Sequence, residues 1–234
     1  MVLDSEKKIS PPVDQIWSDQ FVTYRRLWLD TFLNTYSMEM RGTVLDVGGK
    51  RENKRGSFVP PLDFVSAWWY VNLDQGTLPN IFADVTSLPL KCESVDVIIC
   101  TEVLEHLVDP MACAAEIFRV LRDNGIGFLS VPFMYPVHAD PYDFQRFTAD
   151  GLRHLLSQFR SITIYPMGGY LGTIGMLMEI GLPGLYGSQI SRKILRRSLQ
   201  WLARRLYQAD IKSVTNQPVQ WSKFTSGFFV KVVK

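Results

Sequence analysis

TVLDVGGKRENKRG, Thr43 to Gly56, is the stretch whose reading decides the rest of the chain. Its first half is a short apolar run ending in Asp46, Gly48 and Gly49. Such a run is a buried strand that leads into a turn where backbone, not side chain, meets a ligand. Its second half holds Lys50, Arg51, Lys54 and Arg55, where a dinucleotide fold would continue with glycine. From Gly48 the pattern G-x-G-x-x-G needs glycine at 50 and 53, and meets Lys50 and Asn53 instead. The P-loop pattern G-x-x-x-x-G-K-[ST] is also absent. Pro60 and Pro61 then interrupt the place of the first crossover helix, so residues 50–66 are expected as extended loop with little helix.

Working outward, apolar runs alternate with helical ones. Residues 13–36 repeat apolar side chains at three- and four-residue steps and predict one amphipathic helix. AWWYVNLD (67–74), NIFADV (80–85) and VDVIIC (95–100) read as strands, the last leading into TEVLEHL and a helix start. Residues 110–122 read as a helix with Pro110 in its first turn, stopped by Asp123-Asn124-Gly125. IGFLSVP is a fifth strand, and TADGLRHLLSQF a helix capped by Thr148. SITIYP is a sixth strand and SGFFVKVV a seventh. Near-continuous apolar strands between helices predict an α/β, Rossmann-like doubly wound sheet of seven strands, mostly parallel, with helices on both faces.

In such a sheet, ligands gather at the carboxyl ends of the strands. Here strand one ends in Asp46, strand two in Asp74, strand three in Asp84, and strand four runs into Glu102. Asp74 stands where an acid takes ribose hydroxyls, and Asp84 where one accepts from an exocyclic amine. Several acids and few glycines suit a ligand that carries adenosine hydroxyls and positive charge but no phosphate. S-adenosylmethionine has that composition. Of Trp68 and Trp69, one is expected in the core and the other beside the adenine.

VLDVGG, NLD, ADVTSLPL, VDVIICTEVLEHLVDP, EIFRVLRDNGIGFLSVP and HADPYDFQRFTADGLRHLL occur in this order over residues 43–165. In that order they resemble the class I S-adenosylmethionine-dependent methyltransferases, most closely the small bacterial type with VLEHL. The resemblance implies an antiparallel last strand and S-adenosyl-L-methionine as cofactor. It places Asp46, Gly48 and Gly49 along the methionine part, Asp74 on the ribose, Asp84 with Val85 at the adenine, and Glu102 where the family closes over the cofactor. Lys50 and Glu52 depart from the family's glycine-rich turn. They leave Lys50 and Arg51 to the cofactor's carboxylate or to an anionic substrate.

His138 to Thr148, HADPYDFQRFT, follows the fifth strand and gathers His138, Asp140, Tyr142, Asp143, Phe144 and Arg146. His138 is the candidate general base, because methyl transfer to a hydroxyl needs proton removal near neutral pH. Asp143 and Arg146 complete the candidate catalytic set, as a pair that clamps this loop as a lid. Glu105 and His106 are read as capping or packing residues, and no metal ligands are assigned.

The whole chain is expected as one methyltransferase domain, with an N-terminal helical segment (1–40) and a helical insert (167–224) before the last strand. Within the insert, residues 188–212 hold seven basic residues against one acid, and 171–187 are apolar. That pair of features points to a membrane surface, a substrate or a second subunit through 171–208. A glycan or lipid-linked saccharide is the expected acceptor; a quinone or other apolar small molecule, or cofactor binding without catalysis, are the alternatives. Net charge is only +2, so no nucleic-acid partner is expected. Three cysteines without a pairing pattern, no basic-then-apolar leader and no run of about 20 apolar residues suit a cytoplasmic protein, with or without membrane contact.

Overall fold

The computed structural model describes residues 9–19, 22–52, 56–138, 141–181, 189–216 and 222–234. Seven strands form one sheet: β1 Gly42–Val47, β2 Val65–Asn72, β3 Ile81–Phe82, β4 Val95–Thr101, β5 Leu121–Pro132, β6 Ser161–Pro166 and β7 Gly227–Val233. Their order is β3-β2-β1-β4-β5-β7-β6. β7 runs antiparallel to both β5 and β6, and the other neighbours are parallel. Reversal of strand order at β1/β4 puts the switch point between the Gly48-Gly49 turn and Glu102.

One face is covered by α2 (Pro110–Val120) and α3 (Ala149–Leu155). Asp109 caps α2 by accepting from Ala112 N–H at 3.0 Å, with Pro110 in the first turn. Cys113, Ala114, Ile117 and Val120 then fall on one side and are buried against Leu45, Ile98 and Leu129 of the sheet. Thr148 caps α3 as expected, accepting from Gly151 N–H at 3.1 Å.

The other face is built differently. Among the described residues no α-helix lies between β1 and β2, only a 3₁₀ turn at Leu62–Phe64, as the paired prolines predict. Val44, Trp68, Tyr70, Val97, Ile99, Phe128 and Phe229 on this face are covered by α1 (Tyr24–Thr35) and by the insert helices α4 (Tyr170–Gly181) and α5 (Gln189–Asn216). Two buried carboxylates tie this layer together. Asp210 of α5 accepts from Tyr24 Oη of α1 and from Gly169 N–H just before α4, both at 2.6 Å. Asp30 of α1 accepts from Ser57 N–H at 2.6 Å and pairs with Arg26, which pins the crossover segment to the helix. Gly56 makes that approach feasible: at φ +88° its missing Cβ would stand 2.2 Å from Arg26 Nε.

Two expectations are corrected. The single helix over residues 13–36 is a 3₁₀ turn at Val13–Trp17 followed by α1. Thr23 is extended at φ −151° and caps α1 through Arg26 N–H, so the helix starts only at Tyr24. Neither tryptophan stands at the ligand edge. Trp68 and Trp69 are mid-strand neighbours that point to opposite faces, Trp68 into the α1 layer and Trp69 against the α2–α3 core.

Candidate functional site

The carboxyl ends of β3, β2, β1 and β4 lie side by side, because Asn72 pairs with Phe82 and Val47 pairs with both Val71 and Cys100. Gly48 N–H donates to Val71 O at 2.8 Å, so the turn is welded to β2. Gly48 has φ +73°, and a Cβ there would lie 2.5 Å from Val103 Cγ2. A Cβ on Gly49 would lie 2.4 Å from the Asp46 carboxyl. Only hydrogen fits at both positions, which leaves bare backbone beside Asp46. Asn72, which sequence reading passed over, donates its amide to Gly48 O at 3.1 Å and Gly49 O at 3.2 Å. Its side chain therefore sets the shape of the turn, a role that only the paired strands reveal.

Asp74 and Asp84 are both exposed at the ends of β2 and β3. Each uses one oxygen on its own turn: Asp74 Oδ1 accepts from Gly76 N–H at 2.9 Å, and Asp84 Oδ1 from Thr86 N–H at 2.8 Å. Those bonds orient the carboxylates and leave Oδ2 of each outside them. Val85 is buried beneath. Arg51 is held to this edge by its N–H to Thr77 O at 3.3 Å. It also lines a cavity of about 920 Å³ with Gly56, Phe58, Trp68 and Tyr70, over the face left without a crossover helix.

Glu102 behaves differently from the other three acids. It sits at φ +58°, a strained conformation for a glutamate. Its Oε1 accepts from Ser130 Oγ at 2.8 Å, and Oε2 pairs with Arg25 of α1. With both oxygens engaged, its side chain anchors α1 to the ends of β4 and β5. It stands at the end of β4, beside the switch point.

Past Glu102 the chain turns through a short 3₁₀ segment, Leu104–His106, and the lid loop closes on it. Phe144 N–H donates to Glu105 O at 2.8 Å, and Gln145 Nε2 to Leu107 O at 2.9 Å. Asp143 and Arg146 form the expected clamp. Arg146 grips both oxygens of Asp143, one at 2.7 Å, and donates to Pro136 O at 3.2 Å. That grip holds the Asp143 carboxyl far below its usual range. Asp143 Oδ2 also accepts from His138 N–H at 2.9 Å. Asp140 lies outside the described residues.

This closure brings together Glu105, His106 and His138. Glu105 is fully buried, and among the described residues neither carboxyl oxygen has a hydrogen-bond partner. Its Oε1 lies 3.7 Å from His106 Nε2 and 3.9 Å from His138 Nε2. The His106 imidazole is oriented from its other nitrogen. His106 Nδ1 stands 2.5 Å from Tyr142 O, which only accepts, so Nδ1 carries the proton there. His138 Nδ1 lies 3.3 Å from Asp143 Oδ2 without a hydrogen bond between them. Both Nε2 atoms thus lie near the Glu105 carboxyl. Burial pushes that carboxyl above its ordinary value, and its own backbone N–H, His106, Arg25 and Arg146 offset part of the rise. Burial also lowers the His138 pKa, although Asp143 opposes this, so His138 is neutral at pH 7. One carboxyl and two imidazoles within 4.8 Å of one another resemble a cation's ligand set. With two imidazoles beside one buried carboxyl, the cluster is read as a proton-handling one. Glu105 and His106 were passed over as capping residues, because nothing local in LEHL shows that the distant lid buries them.

With this geometry in hand, the comparisons fall into place. Residues 25–129 match the family described as "Methyltransferase domain". A curated relative from Mycolicibacterium smegmatis, named "Probable S-adenosylmethionine-dependent methyltransferase", is 43% identical over 49 residues. That match spans 21% of this chain and 19% of the relative. Among solved structures, a SAM-dependent methyltransferase from Archaeoglobus fulgidus superposes with a TM-score of 0.52 at 14% identity, over 89% of this chain and 94% of that one. Haemonchus contortus phosphoethanolamine N-methyltransferase 2, solved with S-adenosyl-L-methionine, gives 0.54 at 13% identity, over 95% and 56%. The fold is therefore the Rossmann-like fold of the class I methyltransferases. Over residues 25–129, a little under half of the chain, the sequence is similar to the methyltransferase domain family, and the matched relative is named as S-adenosylmethionine-dependent.

Proposed function

We propose that the protein transfers a methyl group from S-adenosyl-L-methionine to a hydroxyl of a glycan or lipid-linked saccharide. The observation that carries the hydroxyl is the pair of imidazoles, His106 and His138, whose Nε2 atoms meet over buried Glu105 beside the switch point. Such an acceptor must lose a proton as it is methylated, and a neutral imidazole is the group suited to take it.

The strand ends fit the cofactor. Gly48 and Gly49 form a cradle that any Cβ would fill, Asp46 lies beside it, and Asp74 and Asp84 each present an oriented carboxylate for hydroxyls and an amine. When bound, the cofactor supplies an electrophilic methyl on a sulfonium. The chain supplies the rest. Asp74 and Asp84 bind and orient, and the Asp143–Arg146 clamp holds the lid that excludes water. His138 takes the acceptor's proton at Nε2, and the resulting imidazolium is stabilised by Asp143 at Nδ1 and Glu105 at Nε2. The saccharide reading is supported by the cavity that Phe58, Trp68 and Tyr70 line with Arg51, a wall of aromatic faces with one cation. Incubation with saccharide extracts tests it. Release of S-adenosylhomocysteine together with a saccharide heavier by one methylene is the expected result. Release seen only with quinones or other apolar acceptors would replace the saccharide assignment.

A further inference from the structure

The insert helices carry a surface that methyl transfer does not use. α5 packs on α4 and α1 through Ala203, Tyr207, Asp210 and Ile211, spaced for one side of a helix. The register with α4 is fixed by Gly175, whose Cβ would meet Ala203 O at 3.1 Å, and by Tyr207 Oη donating to Glu179 Oε2 at 2.7 Å. α4 ends at Gly181, shortly past that contact. Four consecutive residues further toward the start of α5, 195–198, are all exposed. Among the described residues nothing covers this turn, so the stretch of α5 around residues 195–198 projects as an arm.

Its composition is not that of an arm meant for water. Leu195 is 41% exposed, Trp201 54% and Leu202 40%, and on adjacent α4 Leu177 and Ile180 are also exposed. Arg196 and Arg197 stand among them, and residues 195–209 contain no acid. Arg205 sits over the Trp201 ring at 5.1 Å and near the Trp17 ring at 5.8 Å, so two exposed indoles flank one guanidinium. Indole and arginine side by side suit the boundary between headgroups and acyl chains, where an apolar body and a polar tip are both satisfied. A second copy fits less well: a two-fold pairing through this patch would set the same arginines against one another.

We infer that the exposed arm of α5, with Trp17 and the end of α4, docks the protein on an anionic lipid bilayer. The inference concerns where the protein works and does not depend on which acceptor it methylates. It is tested by sedimentation of the full chain with vesicles of phosphatidylcholine alone and of phosphatidylcholine mixed with phosphatidylglycerol. Binding to the mixed vesicles only, released at about 1 M salt where screening acts within about 3 Å, is expected. Arg196→Glu with Arg197→Glu should weaken it at least about tenfold, and Trp201→Ala should weaken it less, both with unchanged melting temperature. These side chains are exposed, so the fold does not depend on them. S-adenosylhomocysteine binding, measured in parallel, should be untouched; its loss would count against the cofactor reading, not this one. Equal binding to neutral vesicles, no binding to anionic ones, or full binding by the double variant would overturn the inference. So would a concentration-dependent dimer that Trp201→Ala dissolves.

Discussion

The two halves of the ligand edge are built on opposite plans. At the ends of β2 and β3, Asp74 and Asp84 are exposed, and each is held only by its own turn. At the ends of β4 and β5, Glu102, Glu105, His138 and Asp143 are cross-linked to α1, to Ser130 and to the lid. The first plan leaves carboxylate oxygens for a ligand that comes and goes. The second fixes proton-bearing groups before any ligand arrives, which is what lowers the cost of organising them during reaction. The difference implies that substitutions in the first half act on affinity and those in the second on turnover.

The largest expected effect falls in the second half. His138→Ala should reduce turnover by about 10²–10⁴-fold with cofactor affinity nearly unchanged, as steady-state kinetics beside calorimetry would show. Affinity loss with normal turnover would dissolve the contrast. Next, Asp74→Ala should weaken cofactor binding by roughly tenfold or more, through the loss of hydrogen bonds to a charged acceptor, with turnover at saturation retained. Third, Glu105→Gln should slow turnover yet leave the protein as stable or more so at neutral pH, by roughly 1–3 kcal/mol. The sign follows from burial. The Glu105 carboxyl is raised above 4.5 in the folded state, so folding loses stability as pH climbs from that value through the folded one. The melting-temperature gap between variant and parent should therefore widen as pH rises, and a constant gap would show that Glu105 titrates normally. Smallest is Thr148→Ala. It removes the α3 cap, should cost about 1 kcal/mol in a denaturation curve, and should spare both binding and turnover.

Legibility in the sequence divides along the same line. The positions of Asp46, Gly48, Gly49, Asp74 and Asp84 at the strand ends could be read because each closes a strand within a few residues of the run that predicts it. The sheet could be read for the same reason, down to the helix-free crossover that Pro60 and Pro61 announce. Glu105 and His106 could not, because their burial comes from a lid nearly forty residues later, through Tyr142 O and Phe144 N–H. The pairing of Glu102 with Arg25 was hidden for a similar reason: Arg25 belongs to a helix that precedes the whole sheet. Periodicity predicted the insert's basic helix, but not that α4 and α5 would fold back through Asp210 onto α1.

The proposal that strand-end carboxylates hold the cofactor while the buried cluster handles the proton is tested most directly by titrating S-adenosylhomocysteine into the parent protein, Asp74→Ala and His138→Ala in a calorimeter. Tight binding by the parent, nearly the same binding by His138→Ala and clearly weaker binding by Asp74→Ala is the predicted result. An absence of binding by the parent, or variants whose affinities fall together, would contradict it.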